Sequence, residues 1–195
     1  MGAGAPMIGL LLFLSCNTEP VIHQAIVVEK EILQINEHEP YKAGILRRGP
    51  LKQGYWDRPP DVRVCATAPI SQRRVEKGLD FWRKLGYSFG TVTYNDTTRH
   101  CVEDIFSYGT IIIDLIDGTH REPAVATTTT WIDSDTREIL KAKIVMKSRW
   151  ANVERVLEHE FGHAFGFKDY NREGHIMHHN WGLAGRNTRG LVKPE

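Results

Sequence analysis

The stretch HEFGHAFGFKD places two histidines and a glutamate at positions suited to metal chemistry. His159 and His163 are four residues apart, so on a helix their imidazoles lie one turn apart on the same strip. Two neutral imidazoles in that arrangement can bind one cation at Zn–N distances of ~2.0 Å. Glu160 follows the first histidine and can reach a water on the metal without displacing a ligand. The pattern predicts a zinc site with a general base beside it.

A glycine and an aspartate after the second histidine extend this pattern. Gly166 falls where the helix has to end, and glycine tolerates the left-handed backbone that turns a chain sharply. Such a turn would bring Asp169 back toward the histidines as a third, oxygen ligand, which leaves a fourth position for water, as in catalytic zinc sites. His175 and His178 are the alternative third ligands. We expect Asp169, because the glycine turn brings it back toward the two histidines.

Residues 159–169 have the form H-E-x-x-H-x-x-G-x-x-D, and Ile176-Met177 follows shortly after them. This combination resembles the metzincin metalloproteases and their methionine turn. Most metzincins have a histidine as the third ligand, whereas the aspartate form is similar to small bacterial members of the snapalysin or matrixin type. The resemblance covers residues 61–195, but only the part from His159 onward contains specific motifs.

The resemblance implies a zinc endopeptidase that hydrolyses peptide bonds in a cleft between its sheet and a short C-terminal subdomain. It implies one catalytic zinc ion with His159, His163 and Asp169 as ligands. Glu160 would take a proton from the zinc-bound water as that water attacks the scissile carbonyl, and would then pass it to the leaving amine. Met177 would form the floor of the site without binding the metal.

Two further features of the family concern the substrate. Residues 125–132 would form a strand at the edge of the sheet, with which an extended protein or peptide substrate would pair. Some metzincins carry a tyrosine two residues after the methionine that assists the transition state. This chain has His179 there, which makes His179 a candidate donor to an oxyanion; the alternative is an exposed surface histidine.

Two other functions fit the same motif: a catalytically inactive metzincin-like binding module, and a zinc hydrolase that acts on a non-protein bond. The presence of Glu160 argues against the binding module, which needs no general base. A nucleic-acid partner is not expected, because the formal net charge is only +1 and basic residues occur in pairs such as Arg73-Arg74 rather than in stripes. We expect a monomer that acts on a protein or peptide.

The first twenty residues, MGAGAPMIGLLLFLSCNTEP, have the character of an export signal. Their apolar run, residues 7–14, is far shorter than the ~20 residues of a membrane-spanning helix and ends in small residues. Residues 12–16 resemble the lipobox of bacterial lipoproteins, although no Lys or Arg precedes the apolar run. Residues 1–16 are therefore predicted to be a signal segment with Cys16 as a candidate lipidation site. The protein would be secreted or in the cell envelope, with that lipid as its only membrane contact.

Two cysteines remain after the signal segment, Cys65 and Cys101. An even count in an oxidising compartment allows a disulfide between them, which would stabilise the fold by ~3–4 kcal/mol on the chain-entropy estimate. Two separate thiols, with Cys65 buried in a strand, are the alternative.

The remaining sequence has to form the elements that position the site. Residues 17–60 contain a strand-like run at 24–31 and then repeated Pro and Gly, which is typical of a linker or pro-segment. The catalytic domain is predicted to span residues 61–195. Its predicted elements are strands at 61–66, 87–94, 110–116, 125–132 and 139–146, a helix from Ser71 to Gly86 and a helix over 150–165.

This order of elements predicts an α+β fold. It would be metzincin-like, with a mixed twisted β-sheet, two main helices and a short irregular C-terminal subdomain.

Overall fold

The computed structural model of the chain describes residues 26–32, 49–102, 107–115 and 125–193. The strands are β1 (Ile26–Ile32), β2 (Asp61–Cys65), β3 (Val92–Asp96), β4 (Thr110–Leu115), β5 (Ala126–Ile132) and β6 (Ile139–Met146). The helices are α1 (Gln72–Arg83), α2 (Arg99–Val102), α3 (Ser148–Ala151) and α4 (Val156–Ala164). The predicted α+β class is confirmed.

One mixed sheet organises the described residues, with the strand order β1-β5-β6-β4-β2-β3. Strands β3, β2, β4 and β6 run parallel to one another, whereas β5 is antiparallel to β6 on one side and to β1 on the other. The central strand β4 contains a continuous apolar run, and its residues Ile111, Ile112 and Ile113 are fully buried. That composition is typical of a parallel strand covered on both faces.

Helix α1 begins at the predicted cap, since the Ser71 side chain accepts a hydrogen bond from the Arg74 amide. The helix then packs against α4 at Gly78, where an added β-carbon would lie 3.0 Å from Leu157, and its residues Leu79 and Trp82 are fully buried. The Trp82 indole N–H donates to the carbonyl oxygen of Glu158 at 2.9 Å. The helix that carries the candidate site is therefore packed against both the sheet and α1.

The strand predicted at 87–94 is wrong in its first half, because only β3, from Val92, belongs to the sheet. Tyr87 and Phe89 instead pack on the aromatic residues of the α4 region. The Tyr87 ring lies 4.4 Å from that of Phe165, and the Phe89 ring 5.5 Å from that of Phe161. The alternation of apolar and polar residues in this stretch reflects packing on a helix rather than the pleat of a strand.

The helix predicted at 150–165 is divided in two, because Arg155 has a left-handed backbone with φ of 72° and separates α3 from α4. Arg74 of α1 spans the break. Its Nε donates to the carbonyl oxygen of Val153 at 3.3 Å, and its two terminal nitrogens bond the Glu158 carboxylate. Arg74 thus fixes the start of α4.

Residues 49–56 lie against the end of α4, although the sequence placed them in a linker or pro-segment. The Gln53 amide donates to the Gly166 carbonyl at 2.7 Å, and the Lys168 amide donates to that of Leu51 at 2.8 Å. The Trp56 indole donates to the last carbonyl of α4, that of Ala164, at 2.9 Å. This part of the segment is therefore packed on the same unit as the site.

Cys65 and Cys101 form a disulfide with a Cα–Cα distance of 5.5 Å, which is one of the two arrangements that the sequence left open. The predicted signal segment, including Cys16, lies outside the described residues. Within those that are described, no helix is long and apolar enough to cross a membrane. Export and lipidation stay predictions.

Candidate metal centre

Three potential ligand atoms converge beside α4. The Nε2 atoms of His159 and His163 are 2.8 Å apart. The Oδ1 atom of Asp169 lies 3.4 Å from the first and 3.6 Å from the second. Among the described residues, these three side chains form the group of His, Cys, Asp and Glu whose ligand atoms lie close enough to share one ion.

Backbone carbonyls orient both imidazoles. The Nδ1 atom of His159 lies 2.8 Å from the carbonyl oxygen of Ile176, and that of His163 lies 2.8 Å from the carbonyl oxygen of Phe167. Because a carbonyl oxygen only accepts hydrogen bonds, each Nδ1 carries the proton and each Nε2 presents a lone pair. Such outer hydrogen bonds fix the tautomer and the ring orientation of metal-binding histidines.

The geometry and the charge of the two histidines fit a bound metal ion. Two lone pairs that face each other at 2.8 Å repel one another unless a proton or a cation lies between them. Burial, with the neighbouring imidazole of His163, lowers the pKa of His159 well below its usual value, and burial lowers the pKa of His163 to about 4. Burial thus favours the neutral form of both rings, which is the form that binds metals. Two imidazole nitrogens and one carboxylate oxygen match the ligands that zinc takes.

The turn that brings Asp169 toward the two histidines lies at the predicted glycine. Gly166 has a φ of 85°, and its amide donates to the carbonyl of His163 at 2.8 Å. A β-carbon at this position would lie 2.7 Å from the carbonyl oxygen of Gly54, so glycine is required by both conformation and space. Asp169 follows three residues later and faces the histidines.

Glu160 lies between the two histidines in the sequence of α4 and is fully buried. Its Oε2 atom is 2.5 Å from the hydroxyl oxygen of Thr128, on the neighbouring strand β5. The carboxylate predicted as the general base therefore lies on the same helix as the two histidines and contacts the sheet through Thr128.

The predicted methionine turn packs beneath α4. Met177 is fully buried, and a β-carbon on Gly162 would overlap its sulfur. His175 holds the turn together. Its Nδ1 accepts from the Met177 amide at 3.0 Å, and its Nε2 lies 3.1 Å from the carbonyl oxygen of Arg189. Because both of its ring nitrogens are engaged, His175 acts as a structural part of the turn.

The two following histidines also lie outside the group of three ligand atoms. The Nδ1 atom of His178 accepts from the amide of Asn180 at 3.0 Å, and its ring stacks on that of His179 at 4.9 Å. The Nδ1 atom of His179 is hydrogen-bonded to the side-chain oxygen of Asn171. Asp169 is thus the third member of the group, and a donor role for His179 stays a prediction.

Sequence reasoning missed two residues of the site, Gly162 and Thr128. A glycine inside a helix costs ~1 kcal/mol relative to alanine, so its presence in α4 was a signal that something packs closely there. Thr128 belongs to a run of four threonines, and β-branched residues in such a run indicate only a strand. No local pattern distinguishes the one whose hydroxyl meets the carboxylate.

The edge of β5 is not open, contrary to the prediction that residues 125–132 would offer a free edge to a substrate. Strand β1 pairs with it antiparallel, with Glu31 opposite Thr128 and Ile32 opposite Thr127. The sequence indicated a strand near residues 24–31 but not its partner. An edge strand has unpaired backbone groups that favour such an addition.

Comparisons of the chain with protein-family models, with curated proteins and with solved structures found no match. The function therefore has to be inferred from the site itself. The convergent ligand atoms, the buried glutamate and the methionine turn are the features available for that inference.

Proposed function

We propose that this chain is a zinc-dependent endopeptidase of the metzincin type. The observation that carries the proposal is the convergence of two Nε2 atoms and the Oδ1 atom of Asp169 within 4.8 Å of one another. The general base candidate Glu160 is buried on the same helix. The buried Met177 beneath that helix adds support, because a methionine alone would be ordinary core but here follows a zinc motif.

In this proposal His159, His163 and Asp169 hold the ion, and the carbonyls of Ile176 and Phe167 keep the two imidazoles in place. A zinc ion in such a site supplies Lewis acidity and lowers the pKa of water. The two backbone carbonyls keep each Nε2 lone pair directed at the place where the ion would bind.

Glu160 moves the proton in the proposed reaction. One oxygen of its carboxylate accepts a proton from the water as the water oxygen bonds to the scissile carbonyl carbon. The same oxygen then gives that proton to the amine nitrogen as the C–N bond breaks. The carboxylate ends in its starting form, and one water is consumed for each peptide bond cleaved.

We also propose that the enzyme acts outside the cytoplasm. The disulfide between Cys65 and Cys101 is a bond that persists in oxidising compartments and is rare elsewhere. The signal-like residues 1–16 point in the same direction.

The test is to measure zinc content and casein cleavage for the wild type and for Glu160→Ala. We expect about one zinc per chain in both proteins. Cleavage should be stopped by a chelator and restored by zinc, and the substitution should lower it by at least ~100-fold. A second form with an engineered protease site just before Gly49 should be assayed before and after cutting, because β1 covers the edge of β5.

If the wild type binds zinc but cleaves several protein substrates no faster than Glu160→Ala in both forms, the peptidase proposal is wrong. A binding module or a hydrolase of another bond would then be the better explanation. If neither protein binds zinc, the metal-site proposal fails as well.

A further inference from the structure

Two threonines of β5 direct their hydroxyls at the helix of the site. The hydroxyl oxygen of Thr128 lies 2.5 Å from Oε2 of Glu160 and 3.2 Å from the carbonyl oxygen of the same residue. The hydroxyl of Thr130, two residues later on the same face, donates to the carbonyl oxygen of His163 at 3.2 Å. Both threonines are buried.

We propose that Thr128 is a positioning residue for the general base, a role that rests on the proposed peptidase function. Its hydroxyl would hold Oε2 of Glu160 and thereby present Oε1 to the reacting water.

The distances favour the carboxylate as the acceptor of the single hydroxyl proton. A hydroxyl bonded to a carboxylate has a typical oxygen–oxygen distance of ~2.5–2.7 Å, which matches the contact of Thr128 with Oε2 and not its contact with the backbone carbonyl. A donor on one oxygen restricts rotation of the carboxylate group. The other carboxylate oxygen, Oε1, is then held in one orientation.

The support for this donor is rigid. Thr128 pairs with Ile144 of β6 on one side and with Glu31 of β1 on the other, so its backbone is fixed within the sheet. Catalytic groups gain most from neighbours whose own positions are locked by regular structure. A fully buried carboxylate also needs donors, because an unsatisfied one is strongly disfavoured.

The chain offers a matched control. Thr128→Val removes the hydroxyl that meets the carboxylate and keeps the shape of the side chain, whereas Thr128→Ser keeps the hydroxyl. Thr130→Val removes another buried hydroxyl, one that bonds α4 through a backbone carbonyl only. Thr128→Val should lower the melting temperature more than Thr130→Val does, because it removes a donor from a buried charged group. The two rates are therefore compared at a temperature where both variants are fully folded, so that a difference in rate reports on the carboxylate.

For the zinc-loaded full chain we expect Thr128→Val to lower kcat by ~10–100-fold with KM changed by less than ~3-fold, since the group acts on the transition state. Thr128→Ser should return kcat to within ~5-fold of the wild type, and Thr130→Val to within ~3-fold. Equal losses of kcat in the two valine variants would show a structural role and overturn the proposal.

A measurement without catalysis separates this inference from the proposed function. The infrared carboxyl stretching band of Glu160, assigned by its loss in Glu160→Gln, should shift in Thr128→Val and stay unchanged in Thr130→Val. An unshifted band in Thr128→Val would overturn the positioning role. If the band shifts in Thr128→Val but the wild type cleaves no peptide, the contact of Thr128 with Glu160 is established and the peptidase function is refuted.

Discussion

The side chain of Met177 lies so close to Gly162 that a β-carbon on residue 162 would be 2.7 Å from the methionine methyl carbon and would overlap the sulfur. Gly162 is the residue of α4 directly before His163, so the segment that carries Met177 is in contact with the helix that carries both histidines of the candidate site. The neighbouring carbonyl of Ile176 also orients His159. The segment of Ile176 and Met177 therefore contacts the candidate site in two ways: Met177 packs on Gly162, and the Ile176 carbonyl accepts a hydrogen bond from His159.

We expect Gly162→Ala to destabilise the protein by about 1–3 kcal/mol, because the added methyl group overpacks a buried contact. Helix propensity alone would stabilise the variant by ~1 kcal/mol, so the sign of the change decides which effect is larger. Zinc affinity should fall by ~10-fold, since outer-shell changes of this kind typically cost ~10–100-fold. Denaturant unfolding and zinc competition with a chelator measure the two effects.

Gly174→Ala is the matched control for Gly162→Ala. Gly174 has a φ of 76°, and a methyl group added there would meet nothing within 4 Å, so its substitution adds backbone strain of ~1 kcal/mol without a clash. Zinc affinity should be unchanged. A Gly162→Ala protein that is more stable than the wild type would contradict close packing of the methionine.

Asp169→Asn should lower zinc affinity by at least ~100-fold, because it removes a charged ligand from the group of three. His178→Gln should change the affinity by less than ~3-fold, because His178 lies outside that group. Isothermal titration with zinc compares the two variants. The reverse order of losses would make the histidine the third ligand and the aspartate a bystander.

The stability of the metal-free protein should depend on pH through the buried histidines. Burial lowers the pKa of His163 to about 4, below the ~6.5 of an unfolded chain. Between these values the unfolded chain binds more protons, so stability falls as the pH is lowered from ~6.5 to ~4, by up to about 3 kcal/mol. Above pH ~6.5 this contribution is fully present.

Urea unfolding across this pH range, in the presence of a chelator, checks the dependence. The variant His163→Asn should show a smaller slope than the wild type. A wild-type slope no larger than that of the variant would mean that the imidazole is accessible to protons in the folded state.

Replacing Cys65 and Cys101 together by alanine should lower stability by ~3–4 kcal/mol, because the disulfide closes a loop between residues separated by 36 positions. Thermal unfolding with and without a reductant gives the comparison. The reductant should lower the melting temperature of the wild type to that of the double variant and leave the variant unaffected. A wild type that is insensitive to full reduction would contradict this contribution.

The convergence of two histidines and an aspartate was predictable from sequence because its geometry is local. His159, His163, Gly166 and Asp169 fall within eleven residues, and helix periodicity with one glycine turn fixes their relation. The contact of Thr128 with Glu160 joins residues that are 32 positions apart. Nothing in either local sequence indicates it.

The same distinction explains the two wrong element predictions. Residues 87–91 alternate like a strand, yet Tyr87 and Phe89 pack on rings that come from α4 and its following turn. The break at Arg155 is supported by Arg74, which bonds residues on both sides of it from another helix. Both outcomes depend on tertiary contacts that periodicity does not encode.

Because β1 pairs with β5, a peptide can reach the edge of β5 only if it displaces β1. Because Ile26–Ile32 belongs to the same chain, its pairing with β5 does not depend on the protein concentration. A separate peptide has to be present at a high concentration, or has to bind with a high intrinsic affinity, to replace it. After a cut between Ile32 and Gly49 the strand would be an ordinary ligand that dilution removes. Whether residues 33–48 are intact or cut would then decide how often the edge of β5 is open.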